Sequence, residues 1–245
     1  MGYTGGFPRC ETAMSTMQTS FTSKCYDLWS WFYDYTFGAL VHKRHIRAVK
    51  QLRTKPGDVV LDLGVGTGMT LEEYARDITV VGADLSAGML AKAAKKVEQH
   101  GLEHVTLVQA DAMFPPLKEH AFDHVMIAHT ISVVSEPNKL LLWAKRMVKP
   151  EGTIVLLNHF HASNRLVAFF ETILNPMFIK IGWKSDLALE DCLEGTGLHV
   201  RYHFKTSAMD LWQIVVLSPQ RPALEPAEVA QAGGAEVPEA AVAAA

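Results

Sequence analysis

The sequence predicts an α/β fold: a doubly wound, mostly parallel sheet of seven strands that ends in an antiparallel β-hairpin. Three observations predict it. From Asp58 onward, short apolar runs alternate with stretches of helical period, the pattern of buried parallel strands and their covering helices. The first of these runs enters a glycine-rich turn, GVGTG, at positions 64–68. The last two runs, residues 197–207 and 211–219, are separated only by AMD, which suits a hairpin and leaves no room for a crossover helix.

Taken in order, DVVLDLG (58–64) is a strand entering the glycine turn, and MTLEEYAR (69–76) follows as a short helix. ITVVGADLS (78–86) is a second strand, and AGMLAKAAKKVEQHG (87–101) a helix closed by a glycine C-cap. HVTLVQAD (104–111) and FDHVMIAH (122–129) are the third and fourth strands. EPNKLLLWAKRMVKPEG (136–152) is a helix stopped by Pro-Glu-Gly, and TIVLLNHF (153–160) the fifth strand. NRLVAFFETILNPMFIKIGW (164–183) is apolar and helical, broken at Asn175-Pro176, before the terminal hairpin.

The flanks differ in character. Residues 1–20 carry no structural pattern, and residues 219–245 form an Ala/Pro/Glu-rich tail without aromatic residues; both are expected to be disordered. The chain carries a net charge of −3, but residues 1–218 hold 22 bases and 22 acids, so the body is neutral and the tail acidic. That balance argues against nucleic acid as a partner. Three scattered cysteines with no CxxC pair suggest neither a disulfide framework nor a zinc site, so no metal is expected and a reducing compartment is. There is no apolar run long enough to span a bilayer and no secretory signal pattern. A 57–218 domain with a 21–56 N-terminal helical segment is the resulting organisation.

The glycine turn is where chemistry is expected. Gly64, Gly66 and Gly68 stand at alternate positions, a G-x-G-x-G spacing rather than the G-x-G-x-x-G of dinucleotide sites. Asp62 precedes them, and no base stands nearby to meet a phosphate. A carboxylate there suits the ammonium of an amino-acid moiety, so the expected ligand is an adenosyl group joined to an amino acid. Asp84, ending the second strand, can accept both ribose hydroxyls, and Asp111, ending the third, can meet the adenine amino group with Ala112 beside it. A turn-glycine set with three capping aspartates is the plainer alternative.

Upstream, CYDLWSWFYDYTFGAL (25–40) packs seven aromatic residues between Tyr26 and Phe37. Wound as a helix, it puts Tyr26, Trp29, Tyr33 and Phe37 on one side and Trp31, Phe32 and Tyr35 on the other, leaving Asp27, Ser30 and Asp34 as a narrow polar stripe. A helix apolar around most of its circumference needs two apolar partners. The next segment, VHKRHIRAVKQLRTK (41–55), holds six bases and no acid, with Lys43, Arg47 and Lys50 on one face. Two readings stay open on these residues alone: a buried aromatic helix beside a solvated basic one, or a segment lying on an anionic bilayer.

Residues 59–68, GADLS (82–86), QADAM (109–113) and the closing hairpin resemble the class I S-adenosylmethionine-dependent methyltransferases, whose fold is Rossmann-like. The resemblance implies S-adenosylmethionine as cofactor. It places Asp62, Gly64, Gly66 and Gly68 around the methionine part, Asp84 with Leu85 at the ribose, and Asp111, Ala112 and Met113 at the adenine, with His129 completing the set. HTISVVSEPNKLL (129–141), MVKPEGTIVLLNHF (147–160) and NPMFIKIGWKSD (175–186) resemble the bacterial phosphatidylethanolamine N-methyltransferases. The YDLWSWFYDYTFG segment is similar to the aromatic lid of phosphoethanolamine N-methyltransferases.

That likeness implies a phospholipid substrate, an N-terminal amphipathic lid, and an anionic membrane surface met through residues 26–55, on the inner face of the cytoplasmic membrane. Displacement of a methyl group from a sulfonium needs a free lone pair on the acceptor, so an ethanolamine ammonium first loses a proton. By the resemblance, Tyr26 and His129 handle that proton, with Tyr33 and His159 as further wall residues. Arg146, Arg165, Lys180 and Lys184 are candidates for the lipid phosphate. The alternatives are phosphoethanolamine N-methylation, ubiquinone or menaquinone C-methylation and, from another class, a non-catalytic cofactor-binding membrane adaptor.

Overall fold

The structure, a computed structural model, describes residues 38–160, 187–207, 210 and 212–221. The aromatic segment with Tyr26 and Tyr33, the 164–183 stretch with Arg165 and Lys180, Lys184, residues 1–20 and the tail beyond Arg221 lie outside the described residues. In chain order the elements are α1 (Gly38–Gln51), β1 (Val59–Leu63), a single 3-10 turn (Leu71–Glu73), β2 (Thr79–Asp84), α2 (Ala87–Gln99), β3 (Val105–Gln109), β4 (Phe122–Ala128), α3 (Pro137–Met147), β5 (Val148–His159), α4 (Leu189–Leu193), β6 (His199–Lys205) and β7 (Trp212–Ser218).

All seven strands join one sheet in the order β3-β2-β1-β4-β5-β7-β6. The five-strand block is parallel, and β7 inserts antiparallel between β5 and β6, so the expected mostly parallel sheet with a terminal hairpin is what forms. After β3 the chain crosses back to the far side of β1. The strand order therefore reverses between β1 and β4, and in such sheets ligands bind at that switch point, outside the carboxyl ends of the strands.

The twofold alternation along each strand divides the core between two layers. Leu61, Leu63, Val125, Ile127, Ile154 and Leu156 face α3 and α4 through Leu140, Leu141, Ala144, Met147 and Cys192. Val60, Val80, Met126, Val155, Leu157, Ile214 and Val216 face the other way, against Ala48, Val49 and Leu52 of α1 and Ala93 of α2. α1 is thus docked on the sheet by its apolar stripe, with Lys43, Arg47 and Lys50 all exposed on the opposite side. Among the described residues, no helix is long and apolar enough to cross a membrane.

Three elements depart from the sequence expectation. The helix expected at 69–76 is one 3-10 turn, because Thr70 and Tyr74 turn inward to bond Asp62 instead of continuing a helix. The helix expected to run to Gly152 ends at Met147. β5 begins at Val148, and residues 149–152 bulge between the pairs Phe122↔Val148 and His124↔Thr153. Gly152 is required in that bulge, since a Cβ would stand 2.4 Å from the Asp123 carbonyl oxygen. The C-cap of α2 is as expected: Gly101 has φ +55° and Leu102 N–H reaches back to the Val97 carbonyl at 2.9 Å.

Candidate functional site

The switch point is lined on the β1 side by the glycine loop. Gly64, Gly66 and Gly68 all have positive φ (83°, 56° and 75°), which glycine adopts without penalty. The three differ in what a side chain would meet. At Gly64 a Cβ would stand 2.0 Å from Thr130 Oγ1, and at Gly68 2.6 Å from Leu71 Cδ1, so those two are glycine for packing. At Gly66 a Cβ would meet nothing within 4 Å, so the middle glycine leaves open space beside exposed backbone.

Asp84, at the end of β2, holds this loop in place. One carboxylate oxygen accepts Gly66 N–H and the other Ser86 N–H, both at 2.8 Å, while Gly64 N–H and Val65 N–H go to the Ala83 carbonyl. Burial raises the Asp84 pKa, opposed by these backbone N–H bonds. Leu85 N–H also bonds this carboxylate, which keeps acceptor capacity for a hydroxyl. Leu85 projects next to it, 55% exposed, an apolar surface with no covering partner among the described residues.

Asp62 is placed differently from the sequence expectation of a carboxylate facing its ligand freely. It is 1% exposed, and Oδ2 accepts bonds from Thr70 Oγ1 (2.5 Å) and Tyr74 OH (2.9 Å). Burial pushes its pKa up to about 6 against those two bonds. Its Oδ1 is buried with no hydrogen-bond partner among the described residues. Asp111 also departs from expectation: β3 ends at Gln109, and Asp111 is an exposed loop residue whose Oδ1 accepts Met113 N–H at 2.8 Å. That turn sets Ala112 and Met113, both half-buried, at the rim of the loop.

The β4 side of the switch point is built by His129 and Thr130. Thr130 Oγ1 donates toward the Gly64 carbonyl (3.3 Å), tying the two walls together. His129 has φ +61°, a strained conformation for a non-glycine residue, and its backbone is pinned at both ends: its N–H donates to Leu157 O (2.8 Å) and its carbonyl accepts Ser132 Oγ–H (3.1 Å). The His129 ring meets His45 of α1 edge-on, Nε2 to Nε2 at 3.2 Å. Burial, then the neighbouring His45 and Arg44, lowers the His129 pKa to about 3. Burial, then His42, Lys96 and Arg44, lowers that of His45 to about 4. Both rings are neutral at physiological pH.

His45 is a residue that sequence reasoning missed. It sits inside the basic run 41–55, where charge dominated the pattern; its spacing of three and four residues from Ala48 and Val49 was the available signal. His159 is buried at the end of β5, its ring edge-on to Trp212 at 6.5 Å. Arg44 lies over the other side of the same cluster, 4.5 Å from the Trp212 ring centre and ion-paired to buried Asp210. Arg146, a candidate for a lipid phosphate, stands elsewhere. At the last turn of α3, its carbonyl accepts His120 N–H just before β4, and its side chain pairs with Glu119 and lies over Trp143. This is the amino edge of the sheet, away from the glycine loop, because α3 runs antiparallel to the strands.

Residues 61–156 match the family model described as a methyltransferase domain. A phosphatidylethanolamine N-methyltransferase of Cereibacter sphaeroides is 35% identical over 175 residues, covering 71% of this chain and 85% of that protein. A demethylmenaquinone methyltransferase of Lactobacillus johnsonii is 31% identical over 141 residues, covering 56% of this chain and 53% of that protein. Among solved structures, an S-adenosylmethionine-dependent methyltransferase of Thermotoga maritima shares the fold, with TM-score 0.61 at 18% identity over 81% of this chain and all of that one.

The residues present fit an adenosyl–amino-acid sulfonium. Open space at Gly66 admits a ligand against backbone, Asp84 offers remaining acceptor capacity to a hydroxyl, and exposed Leu85 offers an apolar face to a base. The unpaired Oδ1 of Asp62 is an acceptor that an ammonium, directly or through water, would satisfy.

Proposed function

We propose that this chain, which belongs to the class I S-adenosylmethionine-dependent methyltransferases, methylates the amino nitrogen of phosphatidylethanolamine at a membrane surface. S-adenosylmethionine is its cofactor, and it supplies an electrophilic methyl group. The observation that carries the lipid reading is the likeness to the Cereibacter sphaeroides enzyme, which extends over 85% of that protein rather than over the cofactor-binding half alone.

The chain's own residues support it. Asp62, the glycine loop, Asp84, Leu85 and the Asp111–Met113 turn hold the donor. His129, across the switch point, is a neutral imidazole with one bare ring nitrogen to take the proton of an ammonium, which has no lone pair until that proton leaves. Burial weakens this base, and it makes an ammonium brought beside it readier to give its proton up. Tyr26 and Tyr33 remain the proposed partners of His129 and of the methylated cation, and His159 a wall residue. The exposed row Lys43, Arg47 and Lys50 supplies the charge for an anionic surface, at about 1 kcal/mol per base near the membrane. Location on the inner face of the cytoplasmic membrane belongs to the same proposal.

A second reading, methylation of a quinone ring carbon, is favoured by the Lactobacillus johnsonii relative, whose likeness covers about half of each chain. One assay separates the two. Purified protein and labelled S-adenosylmethionine are incubated with vesicles of phosphatidylethanolamine and phosphatidylglycerol, and in parallel with vesicles carrying demethylmenaquinone. Label in mono- and dimethylphosphatidylethanolamine is expected, lost on reversing the charge of Lys43, Arg47 and Lys50. Label in the quinone alone would overturn the lipid assignment.

A further inference from the structure

His45 and His129 come from elements 84 positions apart and meet through one hydrogen bond, Nε2 to Nε2. A bond between two neutral imidazoles holds a single proton, so one Nε2 donates and the other accepts. Whichever way it runs, the contact spends Nε2 of His129 on α1 and leaves Nδ1 as the nitrogen available for site chemistry. Nδ1 of His129 has no hydrogen-bond partner among the described residues.

Both rings are held firmly. His129 is strained in backbone and pinned at its N–H and carbonyl, the pattern of a residue whose placement is imposed by its surroundings. His45 is 1% exposed, and its neighbour Arg44 is locked to Asp210 at 2.9 Å through Nε and stacked on Trp212, which fixes the register of α1 over the carboxyl edge. An apolar residue at position 45 would serve packing alone. An imidazole aimed at another imidazole couples the two tautomers: where one Nε2 carries the proton, the other is bare.

We propose that His45 is the positioning residue that sets the working tautomer of His129: Nε2–H of His129 donates to Nε2 of His45, and Nδ1 of His129 is left with its lone pair toward the acceptor amine. The proposal rests on the reading of His129 as the proton acceptor for that amine. In the step it serves, an N–H bond of the substrate ammonium breaks, its electron pair stays on nitrogen, and an N–H bond forms at Nδ1. The imidazolium so formed keeps its Nε2–H bond to His45, which becomes charge-assisted and stronger. The opposite tautomer would present an N–H to an ammonium and could take nothing from it.

The test is the tautomer itself. The full chain, labelled with nitrogen-15 at its eleven histidines, gives long-range proton–nitrogen correlation spectra that separate protonated from bare ring nitrogens, with the His129 signals identified by their loss in His129→Gln. The expected result is His129 protonated at Nε2. In His45→Ala the His129 signals should become tautomer-averaged. Turnover on phosphatidylethanolamine vesicles should fall at least tenfold, and affinity for S-adenosylhomocysteine should stay within twofold. His45→Gln, whose amide oxygen can accept the same N–H, should restore the tautomer and most of the turnover. It also keeps the test open if the alanine variant fails to fold. A wild-type His129 protonated at Nδ1, or a tautomer unchanged in His45→Ala, would overturn the proposal. A wild-type protein that shows the expected tautomer but leaves phosphatidylethanolamine unmethylated would instead fault the substrate reading.

Discussion

Arg44 and Asp210, 166 positions apart, join α1 to the turn before β7 through a guanidinium that bonds both carboxylate oxygens. Asp210 is buried and also accepts Thr206 Oγ–H and Trp212 N–H, so every lone pair that matters is used. The pair holds the helix that carries His45 against the sheet end that carries His129 and His159.

Asp210→Asn should therefore loosen α1. Removing one partner of a buried ion pair typically costs 3–5 kcal/mol, and because Arg44 keeps some contact with solvent the lower figure, about 3 kcal/mol, is expected here. Urea unfolding measures it. The same variant should lose catalytic turnover more than cofactor affinity, since the glycine loop lies on the other side of the switch point.

The glycines should separate stability from binding. Gly64→Ala drives a methyl into Thr130 and should cost roughly 3 kcal/mol of stability by overpacking and strain. Gly66→Ala meets open space and should cost only about 1 kcal/mol for its left-handed backbone. By filling the cradle it should nonetheless weaken S-adenosylhomocysteine binding roughly tenfold or more, about 1.4 kcal/mol, in calorimetry.

Asp84→Asn should be more damaging than its small change in shape suggests. Each carboxylate oxygen accepts a backbone N–H, from Gly66 and from Ser86, so an amide must turn its NH2 toward one donor. An unsatisfied buried donor costs about 1–3 kcal/mol. Thermal unfolding should show that loss together with weakened cofactor binding, whereas Asp111→Asn, exposed and in a local turn, should leave stability unchanged.

Acid should unfold the protein through the histidine pair. His45 and His129 have folded pKa values of about 4 and about 3, below the ordinary 6.5. Their neutral forms support the fold fully above pH 6.5; as pH falls below that value the unfolded chain takes up protons the folded one refuses, and stability drops until the folded values are reached. The charges facing the pair, Arg44, His42 and Lys96, act in the same sense. Asp62, raised to about 6, opposes it, since its contribution is present at low pH and lost as pH rises through that value. Asp84, also raised by burial, acts with Asp62, while His104, lowered by burial, acts with the histidine pair, and the depressed histidines outweigh the raised carboxyls. Unfolding midpoints should fall between pH 6.5 and 4.5, and the His45→Gln, His129→Gln double variant should flatten that slope.

Local pattern was enough for the architecture. Alternating apolar runs, the AMD spacer and the G-x-G-x-G turn specify a parallel sheet with a terminal hairpin, because strand burial and turn geometry are written within a few neighbouring residues. The positions of Asp84 and His129 at strand ends followed from the same runs. Where prediction failed, distant groups had intervened: Asp62 drew Thr70 and Tyr74 out of a helix, and the Asp123 carbonyl lies so close to Gly152 that the bulge there has no room for a side chain. The direction of α3, which carries Arg146 to the amino edge, is set by the crossover and not by its own residues.

The meeting of His45 with His129 belongs to that second kind. Within VHKRHIR charge masks the one signal of burial, the spacing of His45 from Ala48 and Val49 just beyond it. Only the docking of α1 on β5, secured by Arg44 and Asp210, puts the two rings within one hydrogen bond. Residues adjacent in sequence settle backbone form, whereas a proton's location depends on which side chains the folded chain brings together.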